Sequence, residues 1–392
     1  MTDNPSTQTR RRSPSPPSSP SSWNSPSTNT TIPLRDPFST VPPYACKRIS
    51  PYPCINQELV DALAPLREYR FVVYGTAEPE AISYATAIST IIGCPHKITT
   101  VEQARKLPKI GEKIELKVKE FLETGKIQDA IDLKTNEEFL ALKELQSVHG
   151  IGHVRALELY KQGNRTIQDL RNRGLHLKDL LHYEDLQEKI PREEVELIAE
   201  FVKIQIERCR PQVLAHVEIC GGYRRGKPFS NDVDLLITYP HQDGYERGLL
   251  SELLERLDSK GFIAEIHTSQ TTASARITSD NKSSTRMDCL DRAFLTFRLP
   301  PNGKTRPVPK YRRLDLIVVN WNSWGTALQS WTGSTQFNRD LRRWCTKKGY
   351  KLDAGGIRNL VTDQAIPVTS EKDLFRLLEL EYIPPTLRRA DP

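Results

Sequence analysis

No run of about 18 or more apolar residues occurs in this 392-residue sequence, so no membrane-spanning helix is expected. The N-terminus has no apolar core of signal-peptide type, and secretion is not expected either. The seven cysteines (Cys46, Cys54, Cys94, Cys209, Cys220, Cys289 and Cys345) include no CxxC pair, which reads as reduced intracellular thiols and excludes a disulfide frame or a cysteine zinc site. Metal-ligand spacing is also absent among the eight histidines. His149 and His153 stand four apart, but a Gly-Ile-Gly turn lies between them and interrupts the helix such a pair needs. Strong charge imbalance is missing from most of the chain. Residues 1–50 hold six Lys and Arg against two Asp and Glu, so they carry most of the net charge of +7. A nucleic-acid partner must therefore be argued from local motifs and not from overall charge.

What is present divides the chain into regimes. Residues 1–50, with "RRSPSPPSSPSSWNSPSTNT", are too poor in apolar residues to bury a core and read as a disordered tail carrying Ser-Pro phosphorylation candidates. Arg10, Arg11 and Arg12 read either as part of a nuclear import signal or as a solvated charge cluster. From about residue 55 to 206, apolar residues recur at three- and four-residue spacings between Gly, Pro and polar turns, the pattern of helices. From residue 213, "VLAHVEIC", "DVDLLITY", "RAFLTFRL" and "RRLDLIVVNW" read as strands, with a helix in "YERGLLSELLERLDSKG". Short helical and turn segments return after residue 323. The expected fold class is α+β and multidomain: a helical N-terminal half, a mixed-sheet middle and a small α+β end.

"LPKIGEKIELKV" (107–118) and "SVHGIGHVRALEL" (147–159) repeat one pattern, a tight Ile-Gly turn opening into a helix. Such turns aim backbone N–H groups outward, where a phosphate is bound without reading a base; the competing reading is two ordinary helix connections. Gly150 and Gly152 complete the second turn, whereas Lys109 stands two residues before Gly111 in the first. On the following helix Lys113 and Lys117 lie one turn apart. Neighbouring ammonium groups lower each other's pKa, which suits a Schiff-base lysine; solvated surface lysines are the competing reading.

In "DVDLLITY", Asp232 and Asp234 are two apart and project to one side of a strand, while Val233, Leu235 and Ile237 form the core-facing row. Asp315 lies in an equally apolar strand. Three carboxylates on adjacent strands repel one another unless a hard divalent cation joins them. Two such ions about 4 Å apart activate an attacking hydroxyl and stabilise a leaving pyrophosphate. Gly221, Gly222 and Arg225 would then face a triphosphate. Strand-end aspartates capping turns are the alternative.

Taken as one block, "GGYRRGKPFSNDVDLLIT" resembles the nucleotidyltransferase signature of family X DNA polymerases. "IPREEVE", "RRLDLIVV", "WTGSTQFNRDLRR" and "SEKDLFRLLELEY" resemble further blocks of that family, and the two turns resemble its helix-hairpin-helix motifs. The resemblance covers about residues 55–392. It implies a lyase-type helical domain at 51–132 and a helical DNA-binding subdomain at 133–206. A nucleotidyltransferase palm at 207–322 and a C-terminal nascent-base-pair subdomain at 323–392 would follow. It also implies roles. Asp232, Asp234 and Asp315 hold two Mg2+ ions (Mn2+ substituting), and Asp315 accepts the primer hydroxyl proton. Gly222, Arg192 and Arg225 lie along the triphosphate, with Ser330, Trp331, Gly333 and Asn338 around the nucleotide. Arg313 and Arg342 meet DNA at the primer end and nascent base pair. Gly111, Gly150 and Gly152 bind DNA phosphates, with a monovalent cation at the turns. Lys117 falls on the family's Schiff-base position, with Tyr84 and Lys113 nearby.

Departures refine the expectation. Gly222 replaces a phosphate-binding serine, Asn231 a glycine, and Glu80 a basic residue of the lyase domain. In "SWTGS" (330–334), small Ser330 stands where beta- and lambda-type members have tyrosine, as in the Gly-Trp-Thr-Gly-Ser of mu-type enzymes and terminal transferases. Weak discrimination between ribo- and deoxyribonucleotides is expected; alternatively Trp331 fills the vacated volume. No BRCT domain precedes the helical part and no exonuclease constellation is visible, so proofreading is not expected. The expected protein is a nuclear, monomeric, template-directed polymerase filling short gaps in base excision repair or end joining. Gapped or broken DNA, nucleoside triphosphates and repair or end-joining factors are its expected partners. Template-independent addition and a non-catalytic DNA-end scaffold are the alternatives.

Overall fold

The computed structural model describes residues 36–242, 244–270, 290–300 and 309–392. The Ser/Pro-rich stretch through residue 35, including Arg10, Arg11 and Arg12, lies outside the described residues. No helix among those described is long and apolar enough to cross a membrane.

The helical half follows its local signals. The helix Gln57–Tyr74 stops at Gly75, whose φ of 89° is open to glycine at little cost. Thr100 and Gln103 form a reciprocal capping box at the start of Val101–Lys106, as Thr166 and Asp169 do for Ile167–Asn172. Two apolar cores result. One joins Leu63, Ile88, Ile91, Ile114 and Val118 around the first hairpin, and the other joins Leu142, Leu145, Ile151, Leu159 and Leu170 around the second.

Among the described residues ten strands follow in chain order: β1 Ile190–Pro191, β2 His216–Ile219, β3 Phe229–Ser230, β4 Val233–Thr238, β5 Ile263–Gln270, β6 Asp291–Phe297, β7 Arg312–Val318, β8 Tyr350–Asp353, β9 Gly356–Asn359 and β10 Ala365–Ile366. Five of them form one mixed sheet in the order β2-β4-β7-β6-β5, in which β4 and β7 are parallel and the other pairs antiparallel. On one face Val233, Leu235 and Ile237 pack with the helices Arg192–Cys209 and Leu249–Ser259. On the other, Leu236 and Ile317 meet Trp324, Ala327 and Leu328 of the helix Trp324–Thr332. Burial on both faces explains the unbroken apolar runs of β4 and β7. β5 gives no such run: its half-buried and exposed residues mostly alternate along a sheet edge, so only the pairing with β6 defines it. The helix read from Tyr245 begins later, at Leu249, because Gly248 adopts φ 80°.

One boundary needs correction. The tail expected over residues 1–50 does not extend to residue 50, because residues 36–50 belong to the compact unit Asp36–Pro392. Phe38 and Val41 are buried in the first helical core, whereas Ala45 and Cys46 enter the C-terminal core with Phe337, Leu341 and Phe375. Ser50 then exchanges backbone hydrogen bonds with the C-terminal segment, donating to Leu387 O at 2.7 Å and accepting from Arg389 N at 3.1 Å. Low apolar content upstream hid these few anchoring residues, which are too sparse to show a period.

Candidate active site

The parallel register of β4 and β7 sets Asp234 directly beside Asp315, and Asp232 precedes β4 on the same edge. Burial dominates their electrostatics. Burial, then the neighbouring Asp232 and Asp315 charges, push the Asp234 carboxyl well above the ordinary carboxylate range, against the pull of Arg225 and Arg313. Burial likewise raises Asp315 to about 7, opposed by Arg313 and reinforced by Asp232. The Arg313 guanidinium stands between them, 3.1 Å from Asp232 and 3.9 Å from Asp315. Among the described residues no three His, Cys, Asp or Glu side chains form a ready-made metal cage. The donor chemistry still fits a hard divalent ion: all ligands are carboxylate oxygens, and Asp315 Oδ1 is buried without a hydrogen-bond partner.

Gly221 holds the turn above Asp234. Its φ is 53°, and a Cβ there would lie 1.9 Å from Asp234 Oδ2. Gly222, next in line, borders a cleft of about 450 Å³ with Arg225, Lys227, Ser230, Asp232 and Arg389. Arg225 donates to Thr332 O at 2.5 Å, so the C-terminal subdomain fixes it. Arg192 donates to the carbonyls of Tyr223 and Lys227, at 2.8 and 3.1 Å, and stacks 3.5 Å over the Tyr223 ring. It braces the glycine turn from behind.

The nucleotide-side residues lie together near the end of the helix Trp324–Thr332. Ser330 and Trp331 are half-buried; the Trp331 ring centroid is 6.4 Å from that of Phe294, and its buried indole N–H has no partner. Asn338 donates to Ser330 O at 2.7 Å and accepts from Gln329 Nε2 at 2.8 Å, so it ties this segment to the helix Thr335–Lys347. Gly333 has φ 71° and adjoins Arg225. Arg342 is exposed.

The two hairpins share backbone geometry. Gly150 has φ 83° and Lys109, in the equivalent place, φ 68°; Gly152 and Gly111 are N-caps without a side-chain cap. A Cβ at Gly111, Gly150 or Gly152 would meet nothing within 4 Å, so these turns face open space. The second hairpin borders a cleft of about 540 Å³ with Asn231 and Arg313. Its His149 packs against His267 of β5, ring centroids 4.1 Å apart. This cleft thus joins an uncapped helix N-terminus to Arg313, whose guanidinium pairs with Asp232.

Lys117 does not have the lowered pKa expected from a neighbouring ammonium. Lys117 pairs with Asp129 at 2.8 Å and Glu120 at 3.0 Å. Burial pulls its pKa down, but those hydrogen bonds and charges outweigh it and raise the pKa overall. The depression expected from Lys113 is overturned because two carboxylates, not a second ammonium, are the near neighbours. Lys113 instead lines a cleft of about 320 Å³ with Tyr84, Gly111, Lys109, Arg70 and Glu80. Sequence reasoning also missed Lys189, Lys227, Arg389 and Tyr52 around the Gly222 cleft. The Arg388-Arg389 pair near the end of the sequence was the one available signal.

Comparison with known proteins matches four family models in chain order. These are a helix-hairpin-helix domain at residues 54–127, the fingers domain of DNA polymerase lambda at 143–187, the DNA polymerase beta palm at 189–321 and the DNA polymerase beta thumb at 327–389. The chain is 34% identical over 374 residues to the DNA-directed DNA/RNA polymerase mu of Homo sapiens, covering 91% of this chain and 74% of that protein. It is 29% identical over 385 residues to the DNA nucleotidylexotransferase of Xenopus laevis, covering 93% and 74%. With the DNA polymerase lambda of Rattus norvegicus it shares 30% identity over 322 residues, 79% of this chain and 52% of that protein.

Proposed function

Since the chain belongs to family X of the DNA polymerases and is a DNA-binding nucleotidyltransferase, we propose that it fills short gaps in DNA by templated addition during repair in the nucleus. The observation carrying this reading is the side-by-side placement of Asp234 and Asp315 in parallel register, with Asp232 beside them and the Gly222 cleft adjoining. Asp232, Asp234 and Asp315 would hold divalent cations, Mg2+ or Mn2+, whose charge lowers the pKa of the primer hydroxyl and neutralises the triphosphate. Asp315, whose Oδ1 is buried without a hydrogen-bond partner, would take the hydroxyl proton. Arg225 and the Gly222 backbone receive the phosphates, and Arg192 keeps that turn in place. Arg313, 3.1 Å from Asp232 and 3.9 Å from Asp315, would face the primer end. The open turns at Gly111, Gly150 and Gly152 bind DNA phosphates, with monovalent cations at their carbonyls.

Ser330 leaves room beside the sugar, which supports incorporation of ribonucleotides as well as deoxyribonucleotides. Nucleotide addition on a one-nucleotide gap with a 5′-phosphate tests the reading, comparing Mg2+ with Mn2+ and both sugars. Addition that follows the template and disappears in Asp232→Ala is the expected result. Addition that ignores the template would favour terminal transfer, and tight gap binding without addition would favour a scaffold. Strong rejection of ribonucleotides would remove the Ser330 argument.

A deoxyribose-phosphate lyase step is the second reading, favoured by the Lys113–Tyr84 cleft beside the first hairpin. At Lys117 it requires the Glu120 and Asp129 ion pairs to open before a neutral amine forms. Borohydride trapping on an incised abasic site, with Lys113→Ala and Lys117→Ala in parallel, identifies the nucleophile. No trapped adduct in the unmodified chain would end the lyase reading.

A further inference from the structure

Residues 36–50 bridge two regions of the chain that also meet through polar contacts. Arg339 of the helix Thr335–Lys347 donates to Thr76 O at 2.8 Å, and Arg67 lies 3.5 Å from Asp391. The bridge itself is anchored by apolar burial at each end. Phe38 and Val41 sit in the core around the first hairpin, and Ala45 and Cys46 sit in the C-terminal core. The four-residue step from Val41 to Ala45 reaches at most roughly 14 Å. The two cores therefore cannot draw further apart unless one anchor is pulled out.

Arg48 locks this strap. It is only 6% exposed, a rare state for an arginine. Its Nη1 donates to Pro42 O and folds the strap back on itself, while its Nη2 donates to Ser89 Oγ at 3.0 Å on the helix Pro79–Ile92. Its stem lies on Gly93, where a Cβ would come within 2.5 Å of Arg48 Cδ. The counter-charge comes from the other region. Asp340, 1% exposed on the helix Thr335–Lys347, attracts the Arg48 guanidinium and accepts from Ala45 N at 2.8 Å. A buried arginine with partners in both regions resists their separation, because parting them strands a charge in an apolar setting. Outside it, the Lys47 ammonium lies 4.3 Å over the Trp344 ring.

We infer that this strap, locked by Arg48, sets the length of gap the polymerase accepts, by fixing the distance between the first hairpin and the carboxylates. The inference rests on the gap-filling reading. On that reading the primer end reacts at Asp232, Asp234 and Asp315, and the 5′-phosphate across the gap is held at the first hairpin. Lys109, Lys113 and Arg70 border the cleft beside Gly111 there, and a terminal phosphate carries up to two charges for them to meet. The C-terminal subdomain that the strap grips is in turn tied to the glycine turn above Asp234, through Arg225 and Thr332 O. Each further unpaired nucleotide adds about 3.4 Å along a strand. Two DNA contacts at a fixed spacing reinforce each other only when the gap matches that spacing, whereas loosely linked contacts accept many lengths. Arg48 touches no substrate in this scheme and acts as a positioning residue.

The test uses the full chain on a one-nucleotide gap and a five-nucleotide gap, each with a 5′-phosphate, and on an open primer–template. Arg48→Met removes the lock. A second variant, with four Gly and Ser residues inserted between Pro43 and Tyr44, keeps Arg48 and both anchors but lengthens the step between them. Single-turnover addition by the unmodified chain should favour the one-nucleotide gap. Both variants should lose about tenfold or more of that preference, while addition to the open primer–template stays at the unmodified rate. Equal slowing on all three substrates would reduce the strap to a brace for the fold and overturn the inference. A preference retained in both variants would overturn it as well. Affinity for the two gaps, read by fluorescence anisotropy without nucleotide, reports the same preference apart from catalysis. If the unmodified chain adds to no substrate, yet shows a binding preference that both variants lose, the polymerase reading falls and the role of the strap stands.

Discussion

Gly221 is the residue on which the carboxylate geometry turns. A methyl group there cannot coexist with Asp234 Oδ2 at 1.9 Å, and φ 53° disfavours any other side chain. Gly221→Ala should cut nucleotide addition by about 100-fold or more, because displacing a reacting group by about 1 Å costs that much. Near-normal single-turnover addition would show that the turn relaxes freely. The carboxylates also predict a pH dependence. Asp315 is raised from 3.8 to about 7, so its contribution to stability is full below about pH 4 and is lost as pH rises through 7. Divalent cations bind the ionised form, so the rise in Tm on adding Mg2+ should be larger at pH 8 than at pH 5.5. Equal rises at the two pH values would argue that Mg2+ does not meet these carboxylates. At this scale the placement of Asp234 beside Asp315 was legible in the sequence, because carboxylates stand out in otherwise unbroken apolar runs. The Lys117–Asp129 ion pair was not, since Asp129 reaches it from beyond its own helix.

Among the elements, the two hairpins are the most informative pair. Both were visible as Ile-Gly turns, and their shared dihedrals show that Lys109 adopts the left-handed conformation that Gly150 adopts at no steric cost. Lys109→Gly should stabilise the chain by about 0.5–1 kcal/mol, the usual scale of glycine-compatible backbone strain. It should also weaken binding to gapped DNA and flatten its salt dependence by about one phosphate contact, because a cation beside the turn is lost. Unchanged thermal stability would indicate that the Lys109 side chain repays the strain through contacts of its own. The strand β5 marks the limit of element-level reading. Its alternation lacks a strongly apolar row, and nothing local distinguishes it from a polar loop until β6 is beside it.

Across the whole molecule, sequence pattern separated helical from mixed-sheet regions but misplaced the point where the folded body begins. Long-range anchoring of a few residues leaves no period, and Phe38, Val41, Ala45 and Cys46 are of that kind. Removing residues 1–35 should leave Tm unchanged, whereas removing residues 1–50 exposes both cores. The gross loss is about 3–6 kcal/mol from Phe38 and Val41 alone, offset in part by the chain entropy no longer lost in ordering the segment. Equal melting of the two truncated chains would show that the segment rests on the body without stabilising it. A second consequence concerns the order in which the protein is made. Ala45 and Cys46 fill a core otherwise assembled from residues 337–390, and Ser50 bonds across to residues 387 and 389. On the ribosome these early residues emerge long before their partners exist. The C-terminal core, and the cleft whose wall Tyr52 forms, therefore cannot be completed until residues 337–390 have been made, so a chain that stops short of them carries β4 and β7 without the C-terminal wall of the cleft.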